Sequence, residues 1–527
     1  MTKTSCMKLI KIMTLPLVAS ILVMSGCEKK YDEYASNPNL AEQVSPDLVL
    51  RGVTADMNAD GPWSLISRWN QFDVCNYNYY GDQRYDWTGA TLNYTTLKNV
   101  VKMEEEAKRI GAPEVNPYSA LGKFFRAFYF YRMTNLVGDL PMKEALKGAT
   151  SPTPVYDSQK SIYQQILQWL EESNTNLAQL IASGNKNIDG DIYLGNDLRK
   201  WQKVVNTFRL RVLISLSKKE GDGDLKVKQQ VIDIFTNKTT KYPLMESPAD
   251  NLQYLYNNIN KYPSNPDNLG FDATRYNMSA TYLNKLVELN DPRAYITAEP
   301  ATKRLSVDKK TPADITAYNG ASSGEDLTNM SSKMSSVDTA EYSVRSRSRY
   351  YSSYAAEPGV LIGFAEMCFN IAEASNRGWI VTDAEEYYKK GMKASLSFYG
   401  IPVEAPGTIT KNYKNVNYTI NFDFNNVYYQ QASIKYKGNT ADGLAQILTQ
   451  KYLAFFQNSG WEAYLNWRRT GVPTFLTGTG TGNNGVIPKR FQYPSSERTT
   501  NETNWNTAVK GQYAGNDNIN AEMWLIK

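Results

Sequence analysis

Residues 76–87 read Asn-Tyr-Asn-Tyr-Tyr-Gly-Asp-Gln-Arg-Tyr-Asp-Trp, flat aromatic rings mixed with hydrogen-bonding side chains around a single glycine. A sugar ring meets such a surface in two ways: its axial C–H face stacks on Tyr or Trp, and its hydroxyls pair with Asn, Asp and Arg. Two other clusters have the same make-up. Tyr254, Tyr256, Tyr262, Phe271, Arg275 and Tyr276 lie in Asn-rich sequence, and Arg345, Arg347 and Arg349 alternate just ahead of Tyr350, Tyr351 and Tyr354. That alternation would set the three guanidinium groups on one face of a strand. Each cluster also has a plainer explanation. Tyrosine and tryptophan cap cores, and charge protects the edge of a sheet. Trp63, Trp69, Trp169, Trp201 and Trp379 fall in helical sequence and are expected in the core.

Composition removes much of the competing chemistry. The chain of 527 residues contains no histidine, which excludes Ser-His-Asp and Cys-His nucleophiles, His-ligated zinc and a His proton switch. A carboxylate-only glycoside hydrolase would need two acids about 5 to 9.5 Å apart. No pair is singled out: Glu104-Glu105-Glu106 and Glu385-Glu386 fall on predicted helices, where a solvated face or a cap accounts for them. Asp56-Met57-Asn58-Ala59-Asp60-Gly61 matches the opening of a calcium loop, but position 12 is Ser67 where a bidentate Glu belongs. No cofactor is therefore expected, with calcium at this loop the minor alternative. Gly480-Thr481-Gly482-Asn483-Asn484-Gly485 is a literal GxGxxG with no helix after it, and reads as a flexible loop.

Residues 1–27 carry Lys3, Lys8 and Lys11, an apolar run from Ile12 to Met24, and the ending Val-Met-Ser-Gly-Cys. The run has the length of a signal h-region and is too short for a membrane span. The ending resembles the lipobox of bacterial lipoproteins, with Met24 where Leu is usual, which implies cleavage before Cys27 and lipidation of that residue. Residues 1–26 are thus expected as a removed signal peptide, 27–46 as a lipidated tether and 47–527 as a single domain. Glu28, Asp32 and Glu33 weakly resemble a tag for export to the cell surface. Without the three leader lysines the 58 basic and 53 acidic residues nearly balance, so no nucleic-acid partner is expected. Cys75 and Cys368 are expected to be buried and unpaired.

Helical periodicity dominates the elements that must position these residues. Leu121, Phe124, Phe125, Phe128 and Leu136 form one stripe over about 118–136, ended by Gly138. Ile162, Ile166, Trp169, Leu170, Leu177 and Ile181 form another after an Asp157-Ser158 cap. Further helices are predicted near 197–219 and 225–236, from Pro358 through Ala372, from an Asp383 cap to Gly400, and from Leu444 to Asn458. The stretches 241–278, 301–357, 401–440 and 472–527 show no period, and are too long and aromatic to be mere linkers. The fold class is mainly α. Helical hairpins form a scaffold over 90–237 and 358–470, and a loop-rich lobe with a few short strands covers 241–357, 401–440 and 472–527.

These landmarks, in this order, resemble the SusD/RagB family of outer-membrane nutrient-binding lipoproteins. The resemblance is carried by Asn37-Pro38-Asn39, the aromatic helix ending in Gly138-Asp139-Leu140-Pro141, Lys200-Trp201, Leu289-Asn290-Asp291-Pro292-Arg293, Ala372-Glu373-Ala374, Trp467-Arg468-Arg469-Thr470-Gly471 and Ile487-Pro488-Lys489-Arg490. It implies TPR-like helix pairs and a cell-surface, lipid-anchored protein that binds an oligosaccharide. It also implies a partner, a SusC-like TonB-dependent transporter, and no catalysis. Family members often place a stacking aromatic early in the chain, which selects Tyr80, Asp82, Arg84, Tyr85 and Trp87 as the first ligand-binding candidates. Arg275, Tyr276, Arg349, Tyr350 and Tyr351 follow. The alternatives are peptide binding, as on the RagB side of the family, and the glycoside hydrolase.

Overall fold

Capping chemistry sets the helix boundaries. In the computed structural model, which describes residues 43–77 and 83–527, α1 (Pro46–Asp56), α2 (Tyr94–Arg109) and α3 (Pro117–Val137) come first. Asn116 caps α3 reciprocally with Ser119: each side chain accepts from the other's backbone N–H. Pro117 takes the first helical position, where its missing N–H costs nothing. Gly138, at φ +91°, ends the helix. Ser158 caps α4 (Gln159–Ala182) by accepting from the Ser161 N–H, and Asp197 caps α5 (Leu198–Ser215). Then follow α6 (Val227–Thr236), α7 (Ala280–Glu288), α8 (Phe364–Asn376) and α9 (Ala384–Phe398), the last capped by Asp383 through the Glu385 and Glu386 N–H groups. The series closes with α10 (Ala441–Ala454), α11 (Glu462–Thr470) and α12 (Glu502–Tyr513). No helix among the described residues is long and apolar enough to cross a membrane.

Residues 46–527 pack as one unit, built by laying apolar stripes against each other in helical pairs: α3 on α4, α4 on α5, and α8 on α9 with α10 across them. Leu121, Phe124, Phe125, Ile162, Ile166, Leu170 and Leu177 are buried, as their spacing predicts. Phe124 and Phe125 meet Trp201 of α5 edge-on at 5.6 and 5.9 Å. Trp201 and Trp379 are buried, and Trp63, Trp69 and Trp169 pack partly buried against the core. Cys75 and Cys368 are buried and unpaired.

Buried ion pairs tie the scaffold's two halves together. Arg211 of α5 forks onto Glu366 of α8, its Nε donating at 2.7 Å. Glu373, also on α8 and fully buried, takes Arg469 of α11 and Arg377, with Lys451 of α10 at 3.8 Å. Burial alone would raise the Glu373 carboxyl, but these cations outweigh it and hold it down to about 2. Burial pushes the Lys451 ammonium down to about 8, against the pull of Glu373.

Among the described residues six short strands interrupt the helices: β1 (Asp73–Cys75), β2 (Leu252–Tyr254), β3 (Tyr276–Met278), β4 (Gly359–Ile362), β5 (Gly407–Tyr413) and β6 (Val416–Phe422). They pair antiparallel as β1–β3, β2–β4 and β5–β6. Three expectations change here. The helix predicted from Pro358 begins only at Phe364, because Gly359–Ile362 is a fully buried strand. The stretch 401–440 is not aperiodic: it holds the β5–β6 hairpin, whose burial alternates through Ile409 and Lys411. Residues 345–349 are not a strand carrying three arginines on one face; Arg345 makes a single bridge to Ala298 and Arg347–Tyr350 turns as a short helix.

Candidate ligand-binding cleft

The loop-rich lobe opens a cleft of about 580 Å³ between the tip of the β5–β6 hairpin and the segments 299–302 and 334–352. Its hairpin wall follows from two left-handed residues. Lys414 (φ +49°) and Asn415 (φ +65°) form a two-residue turn of the kind that matches strand twist, with Tyr413 paired to Val416. Tyr413 shares the inward face of β5 with Ile409 and Lys411 and stays half-exposed. Burial pushes its phenol up, Glu299 adds to that, and Arg347 opposes it.

Glu299 builds the opposite wall. Its Oε1 accepts from the Arg347 backbone N–H at 2.7 Å, and its Oε2 faces the Lys411 ammonium at 3.1 Å. Lys411 also donates to the Ala298 carbonyl at 2.8 Å. One buried carboxylate thus fixes both the hairpin and the turn at 347, leaving the Arg347 side chain exposed at the cleft. Tyr342, Tyr351, Ser348, Ser352, Asn412 and Asn415 complete the polar lining. Tyr351 is only 3% exposed, and its hydroxyl has no hydrogen-bond partner. Flat rings, amides, hydroxyls and a guanidinium around a space this size are what recognition of a polar, ring-shaped ligand requires.

The sequence-selected residues scatter. Tyr80 and Asp82 lie outside the described residues, as do Cys27 and the Asn-Pro-Asn start. Arg84 is exposed and paired with Asp86 at 2.6 Å. Tyr85 and Trp87 pack in the core: Tyr85 is fully buried, its hydroxyl donating to the Trp69 carbonyl at 2.8 Å, and Trp87 stacks on Phe491 at 4.1 Å within 5° of parallel. Tyr350 is also core, edge-on to Trp63 at 4.8 Å. Arg349 is taken by Glu357 at 2.6 Å. The Arg275 guanidinium lies over the Tyr77 ring at 4.0 Å, and Tyr276 lies under Arg345 at the same distance. Of the eight candidates among the described residues, Tyr351 alone lines the cleft. Arg347, from the same arginine cluster, lines it as well. Asn412, Tyr413, Lys414 and Asn415 carry no such sequence signal, because the Lys-Asn turn lacks the glycine that usually marks a two-residue hairpin.

The remaining motifs do other work. Asp56 ends α1 and accepts from Thr96, and Asp60 pairs with Arg132, so the calcium-loop sequence is a helix end followed by a 3-10 turn. No cluster of three potential metal-ligating His, Cys, Asp or Glu residues occurs among the described residues. The glycine-rich loop is tied down: the Thr481 carbonyl accepts from the Tyr85 N–H, and Asp86 accepts from the Asn483 N–H at 2.6 Å. Two of the other cavities suit a glycan less well. One is only about 60 Å³, with its arginines Arg132 and Arg211 already paired. The other, about 400 Å³, is lined mostly by apolar groups such as Pro248, Val360, Ala394, Phe398 and Phe455.

A helical-pair scaffold presenting a polar, tyrosine-walled cleft defines a binding protein. The family model described as starch-binding and associating with the outer membrane, SusD-like, matches residues 50–494, and the chain belongs to this family. A SusD homologue from Bacteroides fragilis is 32% identical with a TM-score of 0.76, over 92% of this chain and 100% of that one. A second from the same species is 30% identical with a TM-score of 0.75, over the same shares. A chitin-binding protein at 24% identity and TM-score 0.70, again over 92% and 100%, shares the fold. No curated protein matches the chain. The family consists of binding proteins associated with the outer membrane, not enzymes.

Proposed function

We propose that the protein captures an oligosaccharide at the cell surface, anchored by lipid on Cys27, and delivers it to a SusC-like TonB-dependent transporter. The observation that carries the glycan half of this reading is the 580 Å³ cleft, where Tyr413 and Tyr351 stand among Arg347, Asn412, Asn415 and serine hydroxyls. Its volume falls within the range of about 300 to 1,000 Å³ usual for ligand sites. The starch-binding description of the family and the chitin-binding structural relative support the same ligand class. Delivery requires release, so affinity need not be high: one aromatic stack contributes about 0.5 to 1.5 kcal/mol beyond area burial.

Calorimetry of the purified protein against plant, host and microbial oligosaccharides and a peptide digest, with product analysis of the same samples, tests the proposal. Saturable binding of one glycan class with the glycan recovered intact is the expected result. Binding confined to peptides, or cleavage abolished by changing a single Asp or Glu, would replace it with the RagB-like or hydrolase reading.

A further inference from the structure

Charge in the cleft does not balance. Among the described residues, three charged side chains line it: Glu299, Arg347 and Lys414. The Glu299 carboxylate is already engaged by the Lys411 ammonium and the Arg347 amide, and both Glu299 and Lys411 are buried, so that pair contributes no net charge to a ligand. Two cations remain. The exposed Arg347 guanidinium has no hydrogen bond or ion pair among the described residues, and the Lys414 ammonium rests only near the Tyr413 ring, at 5.6 Å. Arg345 and Arg349, on either side of Arg347, are both matched with carboxylates, Asp73 and Glu357. A fold that pairs its neighbours and leaves Arg347 at the wall of a cavity has kept a planar, five-donor fork open to a ligand.

We infer that the cleft takes an anionic oligosaccharide, one whose sugar units carry carboxylate or sulfate groups. Arg347 grips the acidic group bidentately, Lys414 supplies a second positive charge and Tyr413 stacks on the ring. This rests on the cleft being the glycan site.

The test pairs each acidic probe with its neutralised twin: oligogalacturonate against its methyl ester, alginate oligosaccharide against its carboxyl-reduced form, and heparin-derived oligosaccharide against its desulfated, carboxyl-reduced form. At least one acidic probe should bind about tenfold or more tightly than its twin, more weakly as salt rises, and the probe that binds tells carboxylate from sulfate. Arg347→Gln should cost about tenfold in affinity for that probe, and Lys414→Gln about threefold, with melting temperature unchanged. If the neutral twins bind as well as the acids, or Arg347→Gln leaves the preference intact, the anionic inference falls and the glycan reading stands. If none of these probes binds, the anionic inference falls and the broader oligosaccharide panel decides the glycan reading; if only acidic peptides bind, both fall.

Discussion

Arginine does opposite work in the scaffold and in the lobe's cleft. In the scaffold, Arg211 and Arg469 are both buried, and each reaches a buried carboxylate, Glu366 or Glu373. In the cleft, Arg347 is exposed and only its backbone is held. The difference shows where the fold has completed its own electrostatics and where it has left them for a ligand. A buried guanidinium without partners costs several kcal/mol, so Arg211 and Arg469 come with matched acids, and buried Arg468 is taken up by the Asn135 side chain and the Asn135 and Lys489 carbonyls. An exposed guanidinium is hydrated and carries no such cost, so it can wait.

Breaking the scaffold side should therefore give the largest effect. Glu373→Gln leaves Arg469, Arg377 and Lys451 facing a neutral amide in a dry site, and should destabilise the protein by about 3 to 5 kcal/mol in denaturant unfolding. The same substitution should change the acid limb. With Glu373 held down to about 2, its stabilisation is complete above about pH 4.5 and is lost as pH falls towards 2; the variant should lose that contribution. A wild-type-like unfolding midpoint for Glu373→Gln would remove the contrast between the regions.

Trp87→Ala should follow, at about 3 kcal/mol, because it opens a cavity beside Phe491 in the core. Its glycan affinity should be unchanged, measured below the lowered melting temperature. Lost affinity with an intact melting temperature would return Trp87 to the ligand surface. Lys451 sharpens the comparison from the alkaline side. The folded protein releases its proton near pH 8 while the unfolded chain still holds one until about pH 10.5. Stability should rise across that window by an amount on the order of 3 kcal/mol, and Lys451→Met should flatten the rise.

The two regions also differ in how much of them can be read in the sequence. Scaffold helices announce themselves through stripe and cap together, as with Ser158 and Asp383, because a long amphipathic pattern has few alternatives. Short elements do not. Gly359-Val360-Leu361-Ile362 is buried on both faces, and so short an apolar run fits the beginning of α8 as well as it fits a strand. Aromatic identity was the weakest guide to the site. Tyr85, Trp87 and Tyr350 have the same amphipathic chemistry as Tyr413, and what distinguishes them is burial against Trp69, Phe491 and Trp63 from distant parts of the chain. The arginine cluster led nearer, since Arg347 lies in it, but nothing local distinguishes Arg347 from Arg345 and Arg349, whose acids come from Asp73 and Glu357.

The smallest expected effect isolates the cleft. Tyr413→Ala removes a half-exposed ring beside a tight turn whose geometry depends on Lys414 and Asn415, so the hairpin should keep its register and the melting temperature should stay within about 2 °C. Glycan affinity should fall by about 0.5 to 1.5 kcal/mol, roughly twofold to tenfold, the amount one stacking contact supplies. Tyr413→Phe keeps the ring and should bind almost as wild type if stacking dominates. If the phenylalanine variant loses as much as the alanine variant, the hydroxyl carries the contact and the wall recognises its ligand by hydrogen bonding. If neither variant changes affinity while Trp87→Ala does, the binding surface lies on the 83–87 side of the molecule, and the contrast between completed scaffold and open cleft is wrong.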